Sequence, residues 1–411
     1  MPPGLYMTSS SMSDNRYNNR NRTIKRRRRK RSFRRRFWRF VKSGRFMVSL
    51  FALLIIIIFG VTATIAIRAV HSKLTKDKEL EEAAIEEIVE AEEEEIEELP
   101  PVDPEVASFA PGYAFIRNDS TQTLPEFLED GSGSSVVSQY ALLVDVDTNE
   151  VIAERSGSEV INPASMTKIL TLLVAVENID DYSDTYKITD EITQYTYDHD
   201  CSVVGFDPKE KVTVEDLLYG TILPSGADAV LGLCDYVAGG QEAFVELMNE
   251  RVEELGISDT AHFTNATGLY DENHHCTCED MAAIMKAALQ YEECRKVLYA
   301  RTYTTSSTKQ HPDGILISNW FMRRIEDKPL PGEISGAKTG FVKESGNCAA
   351  SYLVGNDGHH YICVTGWSRS AWRCIYDHVD IYNGCIDGGE TISAQKQEET
   401  SGEASEDETE E

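Results

Sequence analysis

Asn162-Pro-Ala-Ser-Met-Thr-Lys-Ile-Leu-Thr-Leu-Leu-Val-Ala-Val-Glu177 is the stretch on which the fold turns. From Ser165 to Glu177 the residues are apolar nearly all round, the pattern of a helix buried at the centre of a domain. Ser165 and Lys168 are out of place at its entrance unless they do chemistry. A spacing of three puts both side chains on one helix face, and the first turn supplies unpaired N–H groups and a positive dipole end near the serine.

Outward from this helix the periodicity changes twice. Residues 140–154 read as two strands around the turn Asp147-Thr-Asn-Glu150. Thr213-Val-Glu-Asp216 is a capping-box-like start to a helix running to about Thr221. Pro224 breaks that helix and residues 226–237 resume it, which leaves Ser225 at a forced break. Residues 244–255 and 280–289 are further amphipathic helices. After Pro331 the pattern turns to period two, with strands over 334–339, 348–354 and 360–367 and a turn at 355–358. Trp372, Ile375, Val379 and Tyr382 form one face of a final helix. Strands at both ends with helices between predict an α/β (α+β) domain whose two chain ends meet in one antiparallel sheet.

Charge divides the rest of the chain. The 411 residues carry 40 Lys+Arg and 69 Asp+Glu, a net charge of −29. Sixteen of the basic residues lie between Arg16 and Arg45, a stretch without an acid, and the residues from Arg68 onward sum to −44. The two regimes flank Met47–Ile67, which holds no charge and is long enough to cross a bilayer as a helix. The positive-inside rule places residues 1–46 in the cytoplasm and everything after the segment outside the cell membrane, a single-pass arrangement. The block Arg26–Arg31 is read as a topogenic signal against anionic headgroups, and no nucleic-acid partner is expected. Residues 68–134 form an acidic, Pro-containing linker, with thirteen acids between Asp77 and Glu98. Residues 135–389 are one folded domain, and residues 390–411 an acidic tail.

All nine cysteines fall in that domain, an odd number that leaves at least one thiol outside any intramolecular bridge. The run His274-His-Cys-Thr-Cys278 lacks a second ligand pair at finger-like spacing, so neither a metal nor a cofactor is expected.

Three elements carry the chemistry. Ser-x-x-Lys occurs four times, at Ser165, Ser306, Ser335 and Ser393, and only Ser165/Lys168 opens a buried helix. A serine hydroxyl needs an adjacent base, and burial favours the neutral amine of a lysine that would otherwise be protonated. Ser225, at its helix break, can project a hydroxyl into a cleft and relay protons with Lys168. Lys338-Thr339-Gly340 occurs once, on a terminal strand; its cation and hydroxyl suit a carboxylate, and glycine permits close backbone approach.

The ordered set is a penicillin-binding-protein signature. The chain resembles the serine D-alanyl-D-alanine carboxypeptidases, low-molecular-weight penicillin-binding proteins of the peptidase S11 type. Pro163–Lys168 with Leu170-Thr171, Leu223–Ala229, Gly268–His274 with Asp280-Met281, and Gly336–Phe341 with Gly346–Cys348 are similar to that family's blocks. The likeness spans about residues 135–385 and implies a β-lactamase/transpeptidase-like fold. It also implies that Ser165 attacks the carbonyl between two terminal D-alanines of a peptidoglycan stem and forms an acyl-enzyme. Lys168 would accept the proton, Ser225 would shuttle one to the departing D-alanine, and Lys338 and Thr339 would hold the terminal carboxylate. Gly340 lies on the same substrate-binding strand, and the N–H groups of Ser165 and Phe341 would form the oxyanion hole. β-Lactams would then be covalent inhibitors.

The likeness has departures. The second motif usually ends in Asn, whose amide contacts substrate and the lysine, and Ala227 stands there. Ser345-Gly-Asn347 follows Lys338 in the chain and cannot fill that role. Ala227 supports the alternative of a catalytically weak, penicillin-binding wall sensor. A β-lactamase shares the chemistry, but no Glu-x-x-Leu-Asn-like block positions a deacylating water.

Overall fold

The computed structural model describes residues 106–128 and 133–386. The predicted cytoplasmic tail, the segment 47–67, the acidic run 77–98 and the tail after residue 389 lie outside the described residues. No helix among the described residues is long and apolar enough to cross a membrane.

In chain order the first elements are β1 (Gln122–Thr123), β2 (Tyr140–Asp145), β3 (Glu150–Arg155), a 3-10 turn (Ala164–Thr167) and α1 (Lys168–Glu177). The middle holds β4 (Thr185–Lys187), α2 (Asp190–Asp198), β5 (Lys211–Thr213), α3 (Val214–Ile222), α4 (Ala227–Ala238), α5 (Gln241–Glu254), α6 (Cys278–Ala288) and α7 (Glu292–Tyr299). Then come β6 (Thr302–Thr304), β7 (Leu316–Ser318), α8 (Trp320–Ile325), β8 (Gly332–Val342), β9 (Gly346–Gly355), β10 (His360–Ser368) and α9 (Ala371–Cys385).

The two chain ends do meet in one sheet. Its order is β1-β3-β2-β10-β9-β8, and β2 pairs β10 antiparallel from Asp145↔Tyr361 to Tyr140↔Gly366. The exception to the expected antiparallel order is β1, a two-residue strand parallel to β3 at one edge. Strand alternation sends residues to two cores. Leu142 and Val144 of β2 join the larger one with α1, and Ala141 and Leu143 join the smaller one with Val379 and Tyr382 of α9. Each fully buried leucine contributes roughly 1.5–3 kcal/mol, which favours covering both faces of the sheet. Every residue of α1 from Lys168 to Val176 is buried, which makes it the central helix that its apolar circumference predicts.

Several local readings change. The buried helix begins one turn late, because Ala164–Thr167 is a 3-10 turn and α-helix starts at Lys168. β8 runs over Gly332–Val342, well beyond the predicted 334–339, since pairing with β9 continues through its glycines. The small two-stranded sheets β4–β5 and β6–β7 have three-residue strands, too short for a periodic signal. Part of the stretch assigned to the linker, 106–128, is packed on the domain. Lys286 Nζ donates to the Ala110 and Gly112 carbonyls, and Phe109 sits edge-on to Tyr352. Trp372 leaves the buried face of α9 and stacks on Tyr376. All nine cysteines are unbridged, and seven are buried.

Candidate active site

The turn that carries Ser165 is held in a strained shape. Ala164 has φ 46°, a conformation costly for a residue with a Cβ. Its N–H donates to Asn162 Oδ1 at 3.0 Å, and its carbonyl accepts from Thr167 Oγ1 at 2.7 Å. Thr264 N–H donates to His274 Nδ1 at 3.1 Å, so the other ring nitrogen carries the hydrogen and reaches Thr167 Oγ1 at 2.8 Å. Burial depresses His274 to about 4, which keeps the ring neutral. A Cβ on Gly268 (φ 80°) would lie 2.0 Å from the Ala164 carbonyl oxygen, so only glycine fits there.

Within that turn Lys168 Nζ donates to Ser165 Oγ at 2.9 Å and to the Thr267 carbonyl at 2.5 Å. Burial pushes the Lys168 amine down to about 7, with Cys201 and Asp228 partly opposing it. A base that is neutral near physiological pH thus touches the one hydroxyl that needs it.

Ser225 sits at its predicted break between α3 and α4, with φ 63°. Its hydroxyl accepts from Lys338 Nζ at 2.9 Å, so it is bonded to Lys338, whereas the sequence paired it with Lys168. Lys338 Nζ also donates to the Thr339 carbonyl at 2.6 Å. Burial, and then the neighbouring Lys168, hold Lys338 well below the usual ammonium value. β8 lies flat against the nucleophile's backbone. A Cβ on Gly340 would stand 2.9 Å from both Pro163 O and Ser165 N, and 2.8 Å from Cys348 Sγ.

These side chains border a cleft of about 540 Å³ whose walls include Ser165, Lys168, Ser225, Thr339, Gly340 and Phe341. The sequence candidates are therefore brought together, with Lys338 buried just behind the wall. Sequence reasoning singled out Ala227 on that wall and missed its other residues. Ala227 lines it at the position of the usual Asn, and Cys201 lines it near Lys168. Asp228 accepts from the N–H groups of Val204 (2.9 Å), Gly205 (3.0 Å) and Phe206 (3.2 Å), which fixes the loop after Cys201. Its signal was present, an acid in the first turn of a buried helix directly after the motif. Trp320 and Arg324 of α8 close another side, with the guanidinium 3.1 Å from the Trp320 ring centre and 4.5 Å from that of Trp372.

The His/Cys run at 274–278 is otherwise employed. His274 serves the Ser165 turn, and Cys276 and Cys278 are core residues. Asp145, Asp147 and His359 bring donor atoms within 4.8 Å of one another, and those carboxylates are bonded to His359, His360 and Ser108.

With that geometry in place, the comparison with known families is decisive: the family described as peptidase S11, D-alanyl-D-alanine carboxypeptidase, matches residues 129–365. The chain belongs to this family. Similar relatives include the Bacillus subtilis (strain 168) D-alanyl-D-alanine carboxypeptidase DacF, 33% identical over 254 residues, 61% of this chain and 60% of the relative. Escherichia coli (strain K12) DacD is 32% identical over 227 residues, 52% of this chain and 54% of the relative. The chain thus matches less than two thirds of the length of these S11 relatives. The Streptomyces K15 DD-transpeptidase superposes with a TM-score of 0.54 at 23% identity, over 59% of this chain and 94% of that one. A Mycobacterium tuberculosis H37Rv D-alanyl-D-alanine carboxypeptidase gives 0.53 at 23%, over 62% and 94%. At that identity these two structures speak to the fold alone, and the fold is that of the S11 peptidases.

Proposed function

We propose that this chain is a membrane-anchored serine D-Ala-D-Ala carboxypeptidase that removes the terminal D-alanine from peptidoglycan stem pentapeptides. The observation that carries the reading is the 2.9 Å contact between Ser165 Oγ and a buried Lys168 amine depressed to about 7. Lys168 takes the Ser165 proton as Oγ attacks the carbonyl carbon. The tetrahedral oxyanion is met by the N–H groups of Ser165 and Phe341. Ser225, which accepts from Lys338, gives its own O–H proton to the leaving amine and takes in its place the proton that Lys168 removed from Ser165, which returns Lys168 to the neutral amine. D-Alanine departs, and water hydrolyses the acyl-enzyme. A substrate carboxylate at Lys338 and Thr339 favours the protonated amine and offsets the depression that burial imposes on Lys338. β-Lactams acylate the same hydroxyl.

The segment 47–67 anchors the chain in the cell membrane with its N-terminus cytoplasmic and its catalytic domain extracytoplasmic. The test uses the full chain in detergent with a pentapeptide ending in D-Ala-D-Ala and with fluorescent penicillin. Wild type is expected to release D-alanine and to hold the label with slow loss, and Ser165→Ala to do neither. Labelling without D-alanine release would favour the wall sensor, rapid penicillin hydrolysis a β-lactamase, and no labelling would sink serine acylation altogether.

A further inference from the structure

We infer that Asp145, Asp147 and His359, at one end of the sheet, form a binding site for a divalent transition-metal ion of the zinc class. Their donor atoms lie within 4.8 Å of one another, and none of the three borders the catalytic cleft. Antiparallel pairing brings them together across 214 positions of chain, which no spacing motif announces. β2 ends at Asp145, β10 begins at His360, and Val146 N–H donates to the His360 carbonyl at 2.9 Å. The turn after β2 and the turn before β10 therefore face each other, each bearing part of the ligand set.

Each ligand is already oriented. Asp145 Oδ1 accepts from the N–H groups of Asp147 (2.8 Å) and Thr148 (3.1 Å), which leaves Oδ2 for His359 Nδ1 at 2.7 Å. Asp147 Oδ2 accepts from the His360 backbone N–H at 2.8 Å, with His360 Nδ1 3.0 Å away. The His360 ring is itself stacked on Tyr352 and met edge-on by Phe109. Outer contacts of this kind hold carboxylate ligands in position around a metal.

Charge points the same way. The two carboxylates are close together and mostly buried, with side chains 7% and 11% exposed. Lys286, a buried ammonium, is committed to the carbonyls of Ala110 and Gly112 and to Asn149 Oδ1, and bonds neither acid. Imidazole groups stand where a cation would be, and a dication can take over both carboxylates while keeping His359 Nδ1 as a ligand. An imidazole in the set favours zinc-like ions over magnesium and calcium, which prefer oxygen alone. Tetrahedral bonds of about 2.0–2.2 Å put neighbouring ligand atoms about 3.4 Å apart, so His359, half-exposed on its turn, needs to withdraw by less than about 1 Å. The ion would also stiffen the place where the chain enters the domain, since Ser108 Oγ donates to Asp147 and Ala110 N–H to the Val146 carbonyl.

The experiment titrates the full chain in detergent with Zn2+ and, for its visible spectrum, with Co2+. Wild type is expected to bind Zn2+ saturably and to gain about 5–10 °C in Tm at a hundredfold excess over Kd. Its Co2+ spectrum should lack a thiolate charge-transfer band, because the ligands are nitrogen and oxygen. His359→Asn keeps an N–H donor for Asp145 but removes the imidazole, so its metal-free Tm should match wild type. Its affinity for Zn2+ should fall at least about tenfold, and that of Asp147→Asn likewise. No saturable Zn2+ binding by wild type, or an unaltered affinity in His359→Asn, would overturn the site. A thiolate band with Co2+ would assign the ion to the cysteines and overturn it equally.

Discussion

Lys168 is a lysine that burial has made into a base. Its ordinary value is about 10.4, and desolvation inside α1 brings it to about 7. The reactive form is the neutral amine, whose fraction rises with pH. The rate of Ser165 acylation by penicillin is therefore expected to climb about tenfold per pH unit on the acid side and level off above an apparent pKa near 7. Stopped labelling across the pH range reads this directly, and a profile without that limb would remove Lys168 as the proton acceptor. The same residue shows what a sequence can tell. Its apolar surroundings announce burial, and its spacing from Ser165 announces contact. Thr267 announces nothing, since its backbone carbonyl receives Lys168 across 99 positions of chain, and any residue type supplies a carbonyl.

At the scale of elements, the legible features were those with a local cause. The Thr213/Asp216 capping box is made in both directions, at 3.1 and 3.0 Å. The Pro224 break, α1 and the strands after Pro331 follow equally from short-range pattern. The two-stranded sheets β4–β5 and β6–β7, the short helix α8 that carries Trp320 and Arg324, and the cleft-side loop at 201–206 depend on tertiary partners and give no periodic signal. That loop is anchored by Asp228, a buried carboxylate that accepts from three of its N–H groups. Asp228→Ala removes those acceptors and leaves three amides unpaired, at a cost of about 2–4 kcal/mol in chemical denaturation. Amide exchange at Val204, Gly205 and Phe206 should accelerate, and penicillin acylation should slow because Cys201 and Ser202 border the cleft. Loss of stability without faster exchange at these three amides would show that Asp228 does not anchor the loop.

For the whole molecule, the net −29 is the sum of a +16 block and a −44 remainder, to within a stray acid, on either side of the predicted segment 47–67. Charge on that scale governs solubility and approach to surfaces, whereas pH stability is set by a few buried groups. His274 is depressed to about 4 and His378 to about 3, both chiefly by burial. His378 is tied to Ser351 Oγ at 2.7 Å and Thr365 Oγ1 at 2.9 Å between sheet and α9, far in sequence from the Ser165 turn that His274 supports. Both rings are neutral when folded and titrate near 6.5 when unfolded. As pH falls below about 6.5 the unfolded chain takes up protons that the native chain refuses, so stability declines toward acid. By about pH 5 the loss is on the order of 2 kcal/mol per histidine, or roughly 5–10 °C in Tm for both. The buried carboxylates Asp228 and Asp377, raised by desolvation, act in the opposite sense and offset part of this fall. Melting curves of the full chain should show the fall. His378→Asn, less stable at neutral pH, should lose about half of the slope while keeping the acylation limb near 7 that belongs to Lys168. A Tm that is flat over this interval in wild type would mean that the two rings are not the buried neutral groups on which both cores depend.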